Sequence, residues 1–342
     1  EAAYAVLAYQ TAFLRCYYPR EFMAALMSNA AADGKTKKLL KFISDCDDAG
    51  IKVLPPDVNV SRVNFSVEGD SIRFGMLAIK NTGKAILTEL LMERNSRGPY
   101  ADLKDLMERT VASCNKKTIE ALIMSGALDN APQNRAQMLE ALPKFIKVTS
   151  AARKKNVAEQ VSMEDMLFAA NAEDNVPKVT HFLENVEYPD IPELPKKDLL
   201  KMEMDSTGMY ISGHPIDEYK KEVEGKTTHK LSDISDDEDG NPSSIPSGTQ
   251  VRVAGVITQQ RDLTTKSHKQ MCFMTIEDRT GKMDVTVFPQ AYEAYGQKLK
   301  EGVPLIVIGN VEHSDYGCKV ICNSIQFLEP EPAETQQPEA SE

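Results

Sequence analysis

Two short turns rich in apolar residues and glycine carry side chains that could contact phosphate. One runs through Asn81-Thr82-Gly83 and the other through Ser125-Gly126, each between stretches with helical spacing of apolar residues. Backbone N–H groups at a helix N-terminus lack partners within the helix, so such a turn can donate to a phosphate oxygen. The two turns therefore predict a binding site for duplex nucleic acid. Its residues would be Lys80, Asn81, Thr82, Gly83, Lys84, Ser125, Gly126 and Arg135.

Either turn alone also fits an ordinary helical connection with a glycine cap. Turns of the helix-hairpin-helix type commonly carry two glycines, two residues apart, and Asn81 and Met124 replace the first of them here. Asparagine tolerates a positive φ better than most residues, whereas methionine does not. The first turn is thus the better candidate for a phosphate contact, and the second favours packing.

The period of apolar residues changes from helical to strand-like after residue 249. Five β-branched stretches, with a helix-like segment between the third and the fourth, match the order of an OB-fold barrel. The stretches are 250–257, 271–277, 282–288, 305–311 and 319–327, and the helix-like segment is 292–299.

The barrel offers basic and aromatic residues of the kind that bind single-stranded nucleic acid. They lie in a polar loop at 259–270 and on the second and third strands, and comprise Arg261, Lys266, Lys269, Phe273 and Phe288. A barrel with Phe273 in its core and an ordinary polar loop fits the sequence equally well.

The net charge of −11 is unevenly distributed. Residues 79–147 hold eleven Lys and Arg against eight Asp and Glu, whereas acidic residues concentrate at 233–239 and 329–342. Those two acidic stretches are typical of solvated segments. The net charge therefore does not exclude a nucleic-acid partner for the basic part.

Nothing in the sequence assembles a catalytic or metal centre. There is no G-x-S-x-G, no P-loop and no paired carboxylates for metal-assisted phosphoryl transfer. His313, Cys318 and Cys322 lack a fourth ligand at suitable spacing, which favours buried strand cysteines. His214 beside Pro215 predicts a turn or a cap. We therefore predict no catalytic residue, no metal and no cofactor in this chain.

Several stretches, taken together, resemble the C-terminal half of the bacterial DNA polymerase III alpha family. The resemblance covers about residues 1–328, and its specificity comes from the order of the pieces. The pieces are 4–14, 18–26, 54–59, 74–80, 122–129, 208–215 and 278–281.

The resemblance implies a multidomain fold: a mainly α-helical N-terminal part followed by a β-barrel OB-fold domain. The implied segments are the end of a fingers domain, a tandem helix-hairpin-helix DNA-binding domain, a clamp-binding segment with connecting helices, an acidic linker, the OB-fold domain and a disordered acidic tail. Their limits are 1–68, 69–150, 151–224, 225–248, 249–328 and 329–342, respectively.

The family's clamp-binding peptide has the form Gln-x-x-Leu/Met-Phe, and a degenerate version occurs here. The resemblance implies that Gln160, Met163, Leu167 and Phe168 anchor a sliding clamp, although Glu164 stands where phenylalanine is expected. A loop that packs on its own domain is the alternative.

The resemblance places the catalytic aspartates and their Mg²⁺ in an upstream palm domain, which this sequence lacks. The chain begins at Glu1 without an initiator methionine, a leader or an apolar span, and its scattered cysteines suggest a reducing compartment. We expect a piece of a cytoplasmic DNA-directed DNA polymerase, inactive alone. Its implied partners are duplex and single-stranded DNA, a sliding clamp and other replisome subunits, with no membrane. A non-enzymatic nucleic-acid-binding or protein-interaction module is the alternative.

Overall fold

A computed structural model of the chain describes residues 2–110, 114–158, 182–236, 243–314 and 317–329. The chain divides into two compact units. Residues 1–34 and 46–212 form the first unit, and residues 35–45 and 213–342 form the second. The finer domain limits given above stay predictions.

The first unit is mainly helical, as the spacing of apolar residues predicts. The helices are α1 (Ala2–Tyr17), α2 (Pro19–Ala32), α4 (Lys84–Arg97), α5 (Leu103–Arg109), α6 (Lys116–Met124), α7 (Arg135–Ala158) and α8 (Lys196–Thr207). Helix α3 (Thr36–Asp48) contains residues of both units.

A small sheet interrupts these helices. Strand β3 (Ser71–Arg73) pairs antiparallel with β2 (Ser66–Glu68) and parallel with β1 (Val53–Leu54). The tight connection Gly69-Asp70 joins β2 to β3, with a φ of +58° at the glycine. The dipeptide therefore closes a β-hairpin.

Helices α4 to α8 all bury apolar side chains within the first unit. Leu87 and Leu90 of α4, Leu122 of α6 and Phe145 of α7 are fully buried, and α6 packs against both α7 and α8. Burial of such side chains is the main favourable contribution to folding. This packing holds the two predicted turns in place.

The second unit contains a closed barrel of five strands. Their order around the barrel is β4-β5-β6-β8-β7, with β6 parallel to β8 and the other pairs antiparallel. The strands are β4 (Gln250–Thr264), β5 (Gln270–Glu277), β6 (Lys282–Val287), β7 (Pro304–Ser314) and β8 (Gly317–Phe327). Helix α11 (Pro289–Tyr295) lies between β6 and β7, which confirms the predicted order of elements.

Part of the predicted acidic linker packs onto the barrel. Helix α10 (Leu231–Ile234) buries Leu231 and Ile234 in the barrel core, while the short α9 (Lys220–Val223) precedes it. The backbone N–H of Leu231 donates to Asp278 Oδ2 at 3.0 Å. The Ser and Asp residues around them are typical of a solvated linker, so the sequence does not predict that Leu231 and Ile234 are buried.

In the described part of the chain, no helix combines the length and the apolar character needed to cross a bilayer.

Candidate nucleic-acid interfaces

The first turn joins a short 3₁₀ helix (Met76–Ala78) to α4. Asn81 has a φ of +62°, so the expectation that asparagine supplies the left-handed position is confirmed. Thr82 is buried, and its Oγ1 lies 2.9 Å from Met76 O and 2.5 Å from Ile79 O. These contacts fix the turn from within.

The N-terminal end of α4 is open to solvent. Gly83 is the N-cap residue and makes no side-chain cap, and Gly83, Lys84 and Ala85 are all exposed. Because the first N–H groups of a helix have no acceptor within it, they can donate to an anion, which the helix dipole also favours. The first turn therefore has the geometry that a phosphate contact requires.

The fold itself does not require glycine at position 83. The φ of −84° and ψ of 147° at Gly83 are accessible to any residue. A Cβ added there would meet no heavy atom within 4 Å. The missing side chain leaves room for close approach by a ligand, which is a recurrent reason for glycine at such sites.

The two lysines that flank this turn differ in their contacts. Lys80 Nζ donates to Asp205 O at 2.9 Å, and the Lys80 backbone N–H donates to Ser206 O at 2.7 Å, both near the C-terminal end of α8. Lys84 is exposed, and within the described residues its side chain has no hydrogen bond or ion pair. Lys84 is therefore the more available cation.

A second helix N-terminus lies against the first turn. Thr118 Oγ1 donates to Asn81 O at 2.9 Å, while Asn115 caps α6 by accepting from the Thr118 N–H at 3.0 Å. Lys116 and Lys117 occupy the exposed first turn of α6. The sequence shows two adjacent lysines there, but only the tertiary contact brings them near the first turn.

The second turn is closed by packing. Gly126 has a φ of +80°, and a Cβ there would collide with the Arg135 guanidinium and the Asp129 carboxylate. Ser125 is buried, with its Oγ donating to Leu122 O at 3.1 Å. Because the next helix along the chain, α7, begins only at Arg135, Ser125 and Gly126 do not form a helix N-terminus. This geometry favours a packing role for the turn.

Arg135, which the sequence predicts as a phosphate contact, is only 5% exposed. Its guanidinium donates to Asp129 Oδ1 and Oδ2 at 2.7 and 2.6 Å and to Glu203 Oε1 at 3.1 Å. It also donates to Met124 O at 3.2 Å. Since these contacts occupy the guanidinium inside the fold, Arg135 is left out of the interface proposed below.

An open groove of about 570 Å³ crosses the outer face of the barrel and is lined in part by Arg261, Phe273 and Lys319. Arg261 and Phe273 are partners in the β4–β5 register, and Phe273 is 43% exposed. The sequence left open whether Phe273 faces the core or solvent, and the structure places it outside. Lys319 was not among the predicted residues because its groove position depends on the β6–β8 pairing.

The charges along this groove balance. Arg261 and Lys319 line it, but so do Asp284 and Glu301. The Asp284 carboxylate accepts from Thr275 Oγ1 at 2.7 Å. An aromatic ring in a groove without net charge offers stacking to a base more than attraction to a phosphate.

Three barrel residues that the sequence predicts to bind single-stranded nucleic acid do not line this groove. They are Lys266, Lys269 and Phe288. The predicted loop 259–270 is wrong in its extent, because β4 and β5 stay paired as far as Thr264 and Gln270. Lys266 and Lys269 are exposed in the short connection that remains. Phe288 follows β6, is 47% exposed, and is not among the residues that line the groove.

His214 has the capping role that the sequence predicts. Its Nδ1 accepts from the Ile216 N–H at 3.0 Å at the start of a 3₁₀ helix (Pro215–Tyr219). The ring is 2% exposed, and its burial lowers the pKa of His214 to about 4.

The predicted clamp residues Gln160, Met163, Leu167 and Phe168 lie outside the described residues.

The two modules define a class of protein, in which a helix-hairpin-helix region is joined to an OB-fold barrel. A family model described as a helix-hairpin-helix motif matches residues 50–138, and one described as an OB-fold nucleic acid binding domain matches residues 251–328. The predicted fold class is confirmed by these matches and by the closed barrel.

Nearly the whole chain is similar to DNA polymerase III subunit alpha. It is 34% identical to the Vibrio cholerae protein over 333 residues, which are 96% of this chain and 27% of that protein. The identity is 34% to the Thermus aquaticus protein over 334 residues, covering 96% of this chain and 25% of that one. For the Escherichia coli K12 protein it is 32% over 335 residues, covering 96% and 27%.

The predicted resemblance is confirmed: the chain matches a C-terminal portion of the DNA polymerase III alpha family. It spans about a quarter of the length of these relatives.

Proposed function

We propose that this chain is the DNA-positioning part of a DNA-directed DNA polymerase of the polymerase III alpha type. In this proposal the helix-hairpin-helix region binds the primer–template duplex, and the OB barrel contacts single-stranded template. The palm domain with its catalytic aspartates and Mg²⁺ belongs to the rest of the parent subunit. The chain alone is therefore expected to bind DNA without extending it.

The observation that carries the duplex proposal is the open N-terminus of α4 beside an exposed lysine. The N–H groups that follow Gly83 and the ammonium of Lys84 would contact consecutive phosphates, with Lys80, Asn81 and Thr82 completing the turn. Such contacts read no bases, so binding would be independent of sequence and would weaken with salt. Lys116 and Lys117 would extend the same surface.

The remaining contacts of the parent polymerase follow from its family. We propose that the segment with Gln160, Met163, Leu167 and Phe168 tethers the chain to a sliding clamp, and that other replisome subunits bind the parent protein. Apolar anchors of this kind commonly dominate the binding energy of short peptides. We place the protein in the bacterial cytoplasm, where the chromosome is copied.

The dependence of duplex affinity on salt concentration tests the central proposal. The full chain would be titrated into a labelled blunt duplex at several salt concentrations, with fluorescence anisotropy as the readout. We expect affinity to fall steeply with salt, and the slope of log K against log salt to drop by about 1 in Lys84→Ala.

Lys144→Ala supplies the matched control, because Lys144 is an exposed lysine on α7 outside the first turn. It should keep the wild-type slope. A wild-type chain without measurable duplex binding, or a Lys84→Ala variant with unchanged slope and affinity, would refute the assignment of the first turn.

A further inference from the structure

Three side chains of metal-ligating type, from three separate segments, meet beside the β7–β8 hairpin. Asp236 follows α10, His313 lies near the end of β7, and Cys318 lies near the start of β8. One ligand atom from each lies within 4.8 Å of the other two. We propose that Asp236, His313 and Cys318 bind a zinc ion, which fastens the segment after α10 to this hairpin.

Strand pairing holds two of the three ligands in place. His313 and Cys318 are directly opposite each other in the β7–β8 register, so their side chains share one face of the hairpin. Ser314 Oγ donates to Gly317 O at 2.9 Å, one residue closer to the tip. Because strand pairing already fixes the backbone at His313 and Cys318, binding a metal there costs little conformational entropy.

The imidazole is prepared for a metal by its second nitrogen. His313 Nε2 lies 2.7 Å from Ile245 O. A carbonyl only accepts hydrogen bonds, so Nε2 carries the hydrogen and Nδ1 keeps its lone pair. Metal-ligating histidines are usually oriented in this way, with the other ring nitrogen donating to a carbonyl or a carboxylate.

The carboxylate of Asp236 and the carbonyl that orients the imidazole come from the described residues on either side of positions 237–242. The Ser243 N–H donates to Asp236 Oδ1 at 3.1 Å, which orients the carboxylate. The Ile245 N–H donates to Ser243 Oγ at 3.3 Å, and the Ile245 side chain packs against the barrel core. Ser243 Oγ also donates to Asp233 O at 2.8 Å. Asp236 and His313 thus have the supporting hydrogen bonds expected of metal ligands.

The donor set selects the kind of metal. A thiolate, an imidazole and a carboxylate suit zinc, whereas calcium and magnesium prefer oxygen donors alone. Bonds of about 2.0–2.3 Å around a tetrahedral zinc would draw the three ligand atoms closer, and water would complete the coordination. In the sequence, the third candidate ligand beside His313 and Cys318 is Cys322. Cys322 is buried in the barrel core, however, and Asp236 is the third ligand in the structure.

Cobalt substitution tests this site without depending on DNA binding. The full chain would be freed of metal with a chelator and titrated with Co²⁺, and the near-ultraviolet absorption of a cobalt–thiolate bond would be recorded. We expect one equivalent to bind with that absorption and Zn²⁺ to displace it. Zn²⁺ should also raise the melting temperature, since it binds only the folded site. A wild-type chain without cobalt–thiolate absorption overturns the proposal.

Variants assign the ligands. Cys318→Ser should abolish the cobalt–thiolate absorption, and Asp236→Asn should weaken Co²⁺ affinity by at least about tenfold. Cys16→Ser is the matched control, because Cys16 is exposed on α1, and it should change neither. Persistence of the absorption in Cys318→Ser, or unchanged affinity in Asp236→Asn, contradicts the proposal. The Asp236→Asn titration decides the matter even where Cys318→Ser fails to fold.

Discussion

At the scale of single residues, the two turn glycines answer different physical needs. Gly126 has a left-handed backbone and lies against the buried guanidinium of Arg135, so the fold requires glycine at this position. Gly83 has an ordinary extended backbone and no neighbour that a Cβ would meet. The sequence shows two glycines in similar turns, and only the backbone angles and neighbours separate their roles.

Replacing Gly83 should separate stability from DNA binding. In Gly83→Ser the new hydroxyl can cap α4, because serine is a preferred N-cap residue, and the free energy of unfolding should rise by about 0.5–1 kcal/mol. The same hydroxyl occupies N–H groups that a phosphate would use, so duplex affinity should fall. Urea unfolding and fluorescence anisotropy measure the two effects.

Gly126→Ala provides the contrasting variant. Alanine at a φ of +80° beside Arg135 should lower the free energy of unfolding by about 1 kcal/mol or more. If Gly83→Ser binds duplex DNA as tightly as the wild-type chain, close approach of a phosphate to position 83 is not part of the proposed interface.

His214 should make the barrel unit sensitive to acid. Burial lowers its folded pKa to about 4, against about 6.5 in an unfolded chain. The unfolded state therefore binds more protons between these values, and the contribution of His214 to stability is complete above pH 6.5 and lost as the pH falls towards 4. The loss amounts to about 3 kcal/mol.

The variant His214→Asn tests this pH dependence. Asparagine can still accept from the Ile216 N–H as a cap but does not titrate. Urea unfolding between pH 4 and 7, followed by circular dichroism, should show a shallower loss of stability in the variant. Parallel pH profiles for the two proteins would assign the acid sensitivity to other groups.

Buried charges mark a limit of reasoning from residue types. Arg135 looks like a phosphate ligand in the sequence, yet its partner Glu203 is fully buried 68 positions away in the chain. Glu203 Oε2 also accepts from the N–H groups of Ile211 and Ser212 at 2.9 Å. Such a network depends on how α7 and α8 pack, and residue spacing cannot predict that packing.

At the scale of elements, the sequence predicted most of the helices and strands because their periods and caps are local. The start of α6 follows from Asn115, whose side chain accepts from the Thr118 N–H. The mostly polar residues from Gln259 to Thr264 predict a loop at the far end of β4. These residues form a strand through pairing with β5, which is not local information.

The strand β5 presents an aromatic side chain whose role can be measured. Phe273→Ala should weaken binding of the full chain to a labelled single-stranded oligonucleotide by about 1–3 kcal/mol, because it removes a stacking surface. Salt should affect this binding less than duplex binding, since the charges that line the groove balance.

Phe288→Ala is the matched control for this strand, because Phe288 is similarly exposed but does not line the groove. Equal losses from both substitutions would contradict a binding role specific to the groove.

At the scale of the whole molecule, the positions of the charged residues indicate function better than the net charge does. The net charge of −11 coexists with exposed lysines at the N-termini of α4 and α6. The barrel order was predictable because OB-fold strands and their helix follow a fixed sequence. The meeting of Asp236 with the His313–Cys318 pair was not, because Asp236 lies in a distant segment that only tertiary packing brings to the β7–β8 hairpin.

The second unit contains residues 35–45, which the chain supplies long before the barrel begins. A gene-fusion event that copied only residues 213–342 would carry the barrel but leave that stretch of α3 behind. A contiguous coding segment that spans the whole second unit therefore also encodes residues 46–212 of the first unit. A recombination event at the boundary between residues 212 and 213 would therefore separate residues 35–45 from the rest of their unit.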